Sequence, residues 1–342
     1  MRYYRIEIDG GSTVFTSFLN GQNLRGALQV ELDIPVAAFH TPGNAGAFVK
    51  VWGIPLSMIS QAKDLAFKTI KVYGGFQKGL PLANPKQAGL LVQGYIFQCF
   101  GNWQGTDMSL DLITVAGPPP AAGAHVNAPP KTLSLNWRKG RPLSEAINSM
   151  FSVGYPGMIM NVNLNDNLVA PEDQPHVAPP KARADYLLSA SKSIINRPDY
   201  QGVNIAFDGN TINVYDKPNT TAPRAPGLTG LAAQPSTTVQ QVAFVDLIGQ
   251  PTWIGPLTIA FKCAMRADIA LNDEVQMPKT LIANTAQAQG SLIKQKAAQQ
   301  GTFLVTSVHH YGNFRQHDAY SWVTEFNAIA TNVQGTTSTA SP

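Results

Sequence analysis

Charge is scarce in this chain of 342 residues. Asp, Glu, Lys and Arg together make up 13% of it, about half of what globular proteins usually carry. Such a thinly charged surface points to a subunit with much of its area against neighbours, or to a secreted β-protein. Cysteine is scarcer still. Cys99 and Cys263 are the only two, and both lie inside apolar strand-like runs, "YIFQCF" and "IAFKCAM". They read as buried free thiols of a reducing compartment, with one bridge between them left open. No apolar run approaches the ~18 residues of a membrane span, so stable membrane insertion is not expected. The N-terminal "MRYYRIEIDG" reads as a strand and lacks the apolar core and cleavage site of a signal peptide.

Catalytic and phosphate-binding signatures are missing too. There is no G-x-S-x-G elbow and no G-x-x-x-x-G-K-[ST] loop. Glu is sparse, and the Asp residues sit mostly at turns, so no carboxylate pair for glycoside hydrolysis can be assigned. Net charge is +4, without a basic run or an RNP-like or helix-turn-helix pattern, which speaks against nucleic-acid binding. No enzyme activity and no cofactor are expected.

What the chain does have is hydrophobic content of 44% with 25 Pro and 29 Gly. It therefore folds, and its elements are short and punctuated. Residues 1–117 read as β: in "ALQVELDIPV" Leu28, Val30, Leu32, Ile34 and Val36 alternate with Gln29, Glu31 and Asp33. "IPLSMISQAKDL" interrupts these strands as a short helix. Residues 118–130, "PPPAAGAHVNAPP", form a proline-rich linker. Residues 131–216 form a small α/β module. Its first helix carries Leu143, Ala146, Ile147, Met150 and Phe151 on one face behind Pro142. Its second places Leu187, Leu188, Ile194 and Ile195 together and ends at Pro198. The Pro-rich 171–180 reads as a break, and "VNIAFDGNTINVYD" as a hairpin. Residues 217–238 form a second linker. Residues 239–331 return to β, beginning with a strand in "QQVAFVDLIG", and 332–342 form a flexible tail. The Ala/Gln-rich 279–300 reads as a long loop or a helix that orders on assembly. The fold class is α+β, mainly β, with two tube-like β-barrels flanking the module.

Two octets argue for the pair of barrels. "FGNWQGTD" (Phe100 to Asp107) and "YGNFRQHD" (Tyr311 to Asp318) lie 211 residues apart. Gly101, Asn102 and Asp107 match Gly312, Asn313 and Asp318, and the aromatics Phe100 and Trp103 match Tyr311 and Phe314. Strands flank each octet, and Gly and Asn suit a turn or bulge with positive φ. This is the mark of a duplicated hairpin closing each β-rich segment.

The second octet adjoins three of the six histidines. His309 and His310 are strand neighbours, so they point to opposite faces. A metal site at His310, His317 and Asp318 would have too few recognisable ligands, and Gln98, Cys99 and Thr106 stand at the matching positions of the first copy. Structural or interface histidines are the better reading, and no metal is expected. His40, His125 and His176 are isolated. "YSWVTEF" puts Tyr320, Trp322, Thr324 and Phe326 on one face, as a core or a contact with a neighbour. A carbohydrate-binding or carbohydrate-processing β-protein remains the alternative from a different class.

The segment "DEVQMP … GTFLVTSVHHYGNFRQHDAYSWVTEFNAIA" resembles the closing part of bacteriophage tail baseplate hub proteins of the contractile-tail type. "KTLSLNWRKGRPLSEAI" resembles the start of their α/β module. The resemblance implies a non-enzymatic homotrimer whose two barrels per chain form a ring of six. That ring would join a sixfold tail tube, or its initiator, above to a threefold central spike below, with other baseplate proteins around it and DNA only in transit through the channel. It implies a place in the virion after assembly in the bacterial cytoplasm. No fused peptidoglycan hydrolase is visible. On this reading Trp103, His309, His310, Phe314, Arg315 and His317 are candidates for a subunit or spike interface.

Overall fold

The computed structural model describes residues 1–37, 46–77, 84–117, 132–197, 200–208, 211–216, 239–255, 257–278 and 301–331. The linkers expected at 118–130 and 217–238, segment 279–300 and the tail at 332–342 lie outside the described residues, as do His40 and His125.

The N-terminal strands are β1 (Arg2–Ile8), β2 (Thr13–Thr16), β3 (Phe18–Leu19), β4 (Gln22–Asn23), β5 (Val30–Ala37) and β6 (Ala47–Trp52). After α1 (Leu56–Ser60) come β7 (Thr69–Phe76), β8 (Gly89–Gln104) and β9 (Asp107–Ala116). The module holds β10 (Leu133–Trp137), α2 (Leu143–Gly154), β11 (Ile159–Asn163), β12 (Gln174–Ala178), α3 (Pro180–Ile195), β13 (Asn204–Asp208) and β14 (Thr211–Tyr215). The C-terminal strands are β15 (Gln240–Gln241), β16 (Thr252–Trp253), β17 (Thr258–Ala264), β18 (Glu274–Met277), β19 (Gly301–Asn313) and β20 (Trp322–Ala330). The chain is thus α+β and mainly β.

Thirteen strands join in one sheet. Its path is β16-β17-β20-β19-β5-β6-β9-β8-β7-β1-β2, with β18 also on β19 and β15 on β18. The path contains one order twice. The N-terminal half runs β5-β6-β9-β8-β7-β1, and the C-terminal half runs β16-β17-β20-β19-β18-β15. With β2, which continues the sheet past β1, and the separate β3–β4 pair left aside, the first strand of each half in chain order lies toward one side and the next toward the other, while the last two pair as a hairpin at the centre. The pairings match in direction except one: β1 meets β7 antiparallel, whereas β15 meets β18 in parallel.

The halves meet on β19. Its start pairs with β18, from Met277↔Gly301 to Glu274↔Leu304. Its end pairs with β5, from Ser307↔Ala37 to Asn313↔Glu31. The alternation that makes β5 a strand also sorts its faces: Val30, Leu32 and Ile34 are buried, and Asp33 is exposed. Trp322 at the head of β20 and Met265 just past β17 enter the N-terminal core, beside Tyr4, Ile6, Val72 and Leu91. The Trp322 indole donates to the Gly75 carbonyl at 2.9 Å. A second core lies within the module around Trp137, Ile147, Phe151 and Leu187. A third joins Phe261, Phe303 and Phe326 to Ala206 and Tyr215 of the module.

In the module, α2 buries the expected Leu143, Ala146, Ile147, Met150 and Phe151. The buried face of α3 differs from expectation. It consists of Arg183, Ala184, Leu187 and Ser191, with Ile194 and Ile195 only half-buried. The reason is polar. Arg183 donates to the carbonyls of Leu133 and His176, each at 2.6 Å, and Ser191 Oγ accepts from Val203 N at 2.9 Å. These bonds tie the helix to β10 and β12 through Arg183 and to the start of β13 through Ser191. The helix stops at Asn196 in the left-handed region, φ 46°. The expected break at 171–180 contains β12, which pairs with β10 from Leu133↔Ala178 to Trp137↔Gln174. Pro175 fits because β12 is an edge of a two-stranded sheet and needs no donor on its outer side. The hairpin at β13 and β14 closes at Asp208↔Thr211.

"QQVAFVDLIG" also differs from the expected strand. After β15 the chain makes a single tight turn at Phe244–Asp246. Asp246 is drawn inward to Arg266 at 3.1 Å, while Asp268 grips the same guanidinium bidentately at 2.6 and 2.7 Å. Gln87, from the connection between β7 and β8, donates to Asp246 at 3.1 Å. This buried ionic group fixes a second contact between the halves.

Replacing Trp322 with Phe removes the indole bond to Gly75, whose carbonyl keeps its place in the ladder opposite Tyr3. The lost hydrogen bond is expected to cost about 0.5–1.5 kcal/mol in urea unfolding, against no change for Tyr320→Phe at an exposed position.

Candidate interface site

The two octets occupy equivalent places and fold differently. Each begins on the leading strand of the central hairpin of its half. Both leading strands carry an irregularity, between Ile96 and Gln98 in β8 and between Val305 and Ser307 in β19. In the first copy the ladder continues to Gln104↔Asp107, closing around Gly105 at φ 60°. In the second it stops at Gly312↔Trp322, and residues 314–321 leave the sheet. The registers differ by one residue: Gly101 faces Leu110, whose counterpart at the same offset is Ser321, yet Gly312 faces Trp322.

The expected role of the shared Gly and Asn is corrected. None of Gly101, Asn102, Gly312 and Asn313 has positive φ; all four lie in extended strand. The glycines serve close approach. A Cβ on Gly101 would come within 2.7 Å of Ile59, and one on Gly312 within 2.8 Å of the Trp322 ring. The asparagines anchor side chains. Asn102 donates to Asp111 at 2.7 Å, and Asn313 accepts from Gln29 at 2.6 Å.

One residue organises the loop at 314–321. Arg2 donates to the carbonyls of Asn313 (2.9 Å), Phe314 (3.3 Å), Gln316 and Asp318 (3.0 Å), and to the Ser321 hydroxyl at 2.7 Å. Burial pulls its pKa down, and Asp318 opposes that. Sequence reading missed Arg2, although a signal was present: it stands in phase with Tyr4, Ile6 and Ile8, the buried face of β1.

The candidate residues separate accordingly. Phe314 packs edge-on to Tyr4 at 4.9 Å and to Trp322 at 6.0 Å. Arg315 receives its backbone anchor from Gln29 at 2.9 Å and donates to the Ala27 carbonyl. Both are committed to the seam between the halves. His310 points into the core and meets the Thr324 hydroxyl at 2.9 Å. His309 points the other way and meets Asp33 of β5 at 2.5 Å. His317 is exposed. Trp103, 62% exposed, stands at the tip of the β8–β9 hairpin, its indole donating to Gly105 at 2.8 Å. Among the described residues, no group of three or more His, Cys, Asp and Glu could hold a metal ion. Cys99 and Cys263 are free thiols, and burial pushes both up to about 12.

The outer face of the sheet is polar and internally paired. Lys50 meets Asp111 at 3.5 Å between β6 and β9, and Lys262 meets Glu325 at 3.4 Å between β17 and β20. These are equivalent strand pairs in the two halves. Glu31 accepts from the Trp52 indole at 3.1 Å.

No family model matches this sequence, and no curated protein is similar to it. Solved structures do match. The E. coli c3393 protein aligns over 96% of this chain and 77% of its own, at 9% identity and a TM-score of 0.51. It is described as a component of the type VI secretion system with structural similarity to the T4 bacteriophage tail proteins gp27 and gp5. A tail protein from Neisseria meningitidis MC58 aligns over 96% of both chains, at 11% identity and a TM-score of 0.48. The 43 kDa tail protein of prophage MuSo2 from Shewanella oneidensis covers 96% of this chain and 98% of its own, at 7% identity and a TM-score of 0.47. The chain thus shares the fold of the E. coli protein.

Two outcomes test this site. Arg2→Ala should accelerate amide hydrogen exchange across 316–320 and cost about 1.5–3 kcal/mol, the range for hydrogen bonds to a charged group. Arg2→Lys should not restore protection, since an ammonium cannot reproduce the fork. Burial, with His309 beside it, lowers the His310 pKa to about 3. The unfolded chain takes up that proton near pH 6.5 and the folded chain does not. Stability contributed by neutral His310 is therefore present above about pH 6.5 and is lost as pH falls toward 3. His310→Asn should flatten the decline between pH 6.5 and 5 in thermal unfolding, before carboxylates titrate.

Proposed function

We propose that this chain is a structural, non-enzymatic subunit of a phage-tail baseplate hub. In this reading 1–117 and 239–331 are two similar tube-like barrels, and 131–216 is a module carried on the outside. Three chains form a ring of six barrels that joins a sixfold tube to a threefold spike around a channel through which DNA passes. The observation that carries the proposal is the strand order written twice in one sheet. A chain with two like halves lets a threefold assembly present six similar units. The fold shared with the E. coli protein, itself described as similar to phage tail proteins, supports a place in the tail. The paired charges of the outer sheet face suit a wall that a polyanion passes without binding, since no Lys there lacks an acidic neighbour at β6/β9 or β17/β20.

Sedimentation of the full-length protein tests it. The expected species has three times the 36.7 kDa mass of the chain. A protein that stays a monomer at the highest soluble concentration, alone and with its spike, would contradict the proposal.

A further inference from the structure

Lys50, Asn102 and Asp111 come together on three neighbouring strands of the N-terminal half. Lys50 of β6 stands opposite Asp111 of β9. Asn102 of β8 and Trp52 of β6 stand opposite Ser109, two residues before Asp111, from either side. Opposed residues share a face of a sheet, and so do residues two apart on a strand. All five side chains therefore lie on one face. Hydrogen bonds draw the group together. Asp111 Oδ2 accepts from the Asn102 side-chain amide at 2.7 Å and meets the Lys50 ammonium at 3.5 Å. Asp111 Oδ1 accepts from the Ser109 hydroxyl at 3.1 Å, which fixes the carboxylate between them. Lys50 leans toward the row that holds Asn102, since its Nζ lies 4.2 Å from the centre of the Trp52 ring.

An amine and a carboxamide sharing one carboxylate oxygen hold everything an amide bond between side chains requires. The amine is the nucleophile, the carboxylate is the adjacent base that activates it, and the carboxamide is the acyl donor. The fold supplies the encounter, so the step is intramolecular. The site is also sheltered: the Lys50 and Asp111 side chains are only 20% and 15% exposed, which limits competition from water.

We propose that Lys50 and Asn102 join in an isopeptide bond, with Asp111 as the base. Asp111 takes a proton from the Lys50 ammonium. The free amine attacks Cγ of Asn102 and forms the new C–N bond. Asp111 gives its proton to the departing amide nitrogen, the Cγ–Nδ2 bond breaks, and ammonia leaves. The surplus proton on the attacking nitrogen goes with it as ammonium. Asp111 ends as a carboxylate, and nothing is oxidised or reduced. The bond staples β6 to β8 across β9 and shortens the loop that the unfolded chain must close. The C-terminal half has the equivalent ion pair, Lys262 with Glu325, but Asn313, the match of Asn102, is held by Gln29 at 2.6 Å. One bond per chain is therefore expected.

Intact-mass measurement of the full-length protein, followed by digestion and peptide sequencing, tests the bond. The expected mass is lower than that of the sequence by one ammonia, and the digest should contain a branched peptide joining Lys50 to Asn102. Asp111→Ala should keep the full mass. Lys50→Arg should keep it too; it retains the cation over Trp52 and serves if the first variant does not fold. Lys262→Arg should still lose ammonia. A full sequence mass in the unsubstituted protein overturns the proposal. So does a loss of ammonia that persists in Lys50→Arg, or one that maps elsewhere, such as a cyclised Asn20 before Gly21.

Discussion

Seven residue pairs between β5 and β19 hold the molecule together as one sheet. They join positions 270 to 282 residues apart, at an entropic cost of closure that local structure cannot offset. Other contacts make that ladder worthwhile. Trp322 is driven into the N-terminal core, Arg2 gathers the loop after β19, and Arg266 and Asp246 reach Gln87. Each crosses the seam, and each places a polar group where a partner from the other half is already waiting. Remove the ladder and the Trp322 indole loses its Gly75 partner and Arg2 the loop that it gathers, so the two halves support each other.

Under the doubled strand order the two hairpins are alike in position and unlike in detail. The second is finished inside the chain: β5 lies on its edge, and its loop is tied to β1. The first has α1 beside it through Ile59 and Gly101, with Trp103 and Phe100 at the surface. The charge pairs Lys50–Asp111 and Lys262–Glu325 recur at equivalent strands, so the outer face repeats while the edges do not. Differences between copies are concentrated where each half meets a different neighbour.

Much of the fold was legible because it follows from alternation and helical spacing. The faces of β5 and α2 were read residue by residue, and 239–331 was recognised as β. What failed had polar causes. Arg183 and Ser191 rotate α3 away from its most apolar face, Asp246 bends a would-be strand toward Arg266, and Pro175 hides an edge strand. Hydrogen bonds between distant residues leave no local pattern. The site was half legible. The pairing of the octets pointed to the right hairpins, yet positive φ was the wrong reason for their glycines. Gly101 and Gly312 are dictated by Ile59 and Trp322, neighbours that only the folded chain brings near. Arg2, which shapes the loop most, was visible only as a cation in phase with buried residues.

The central claim is that one chain carries two copies of a single unit so that three chains can act as six. Electron-microscope images of the purified full-length assembly, viewed down its axis, test it most directly. The account predicts six lobes of like strand order around an open channel, contributed by three chains. A ring with only threefold features, in which the two halves of each chain do not superpose, would contradict it.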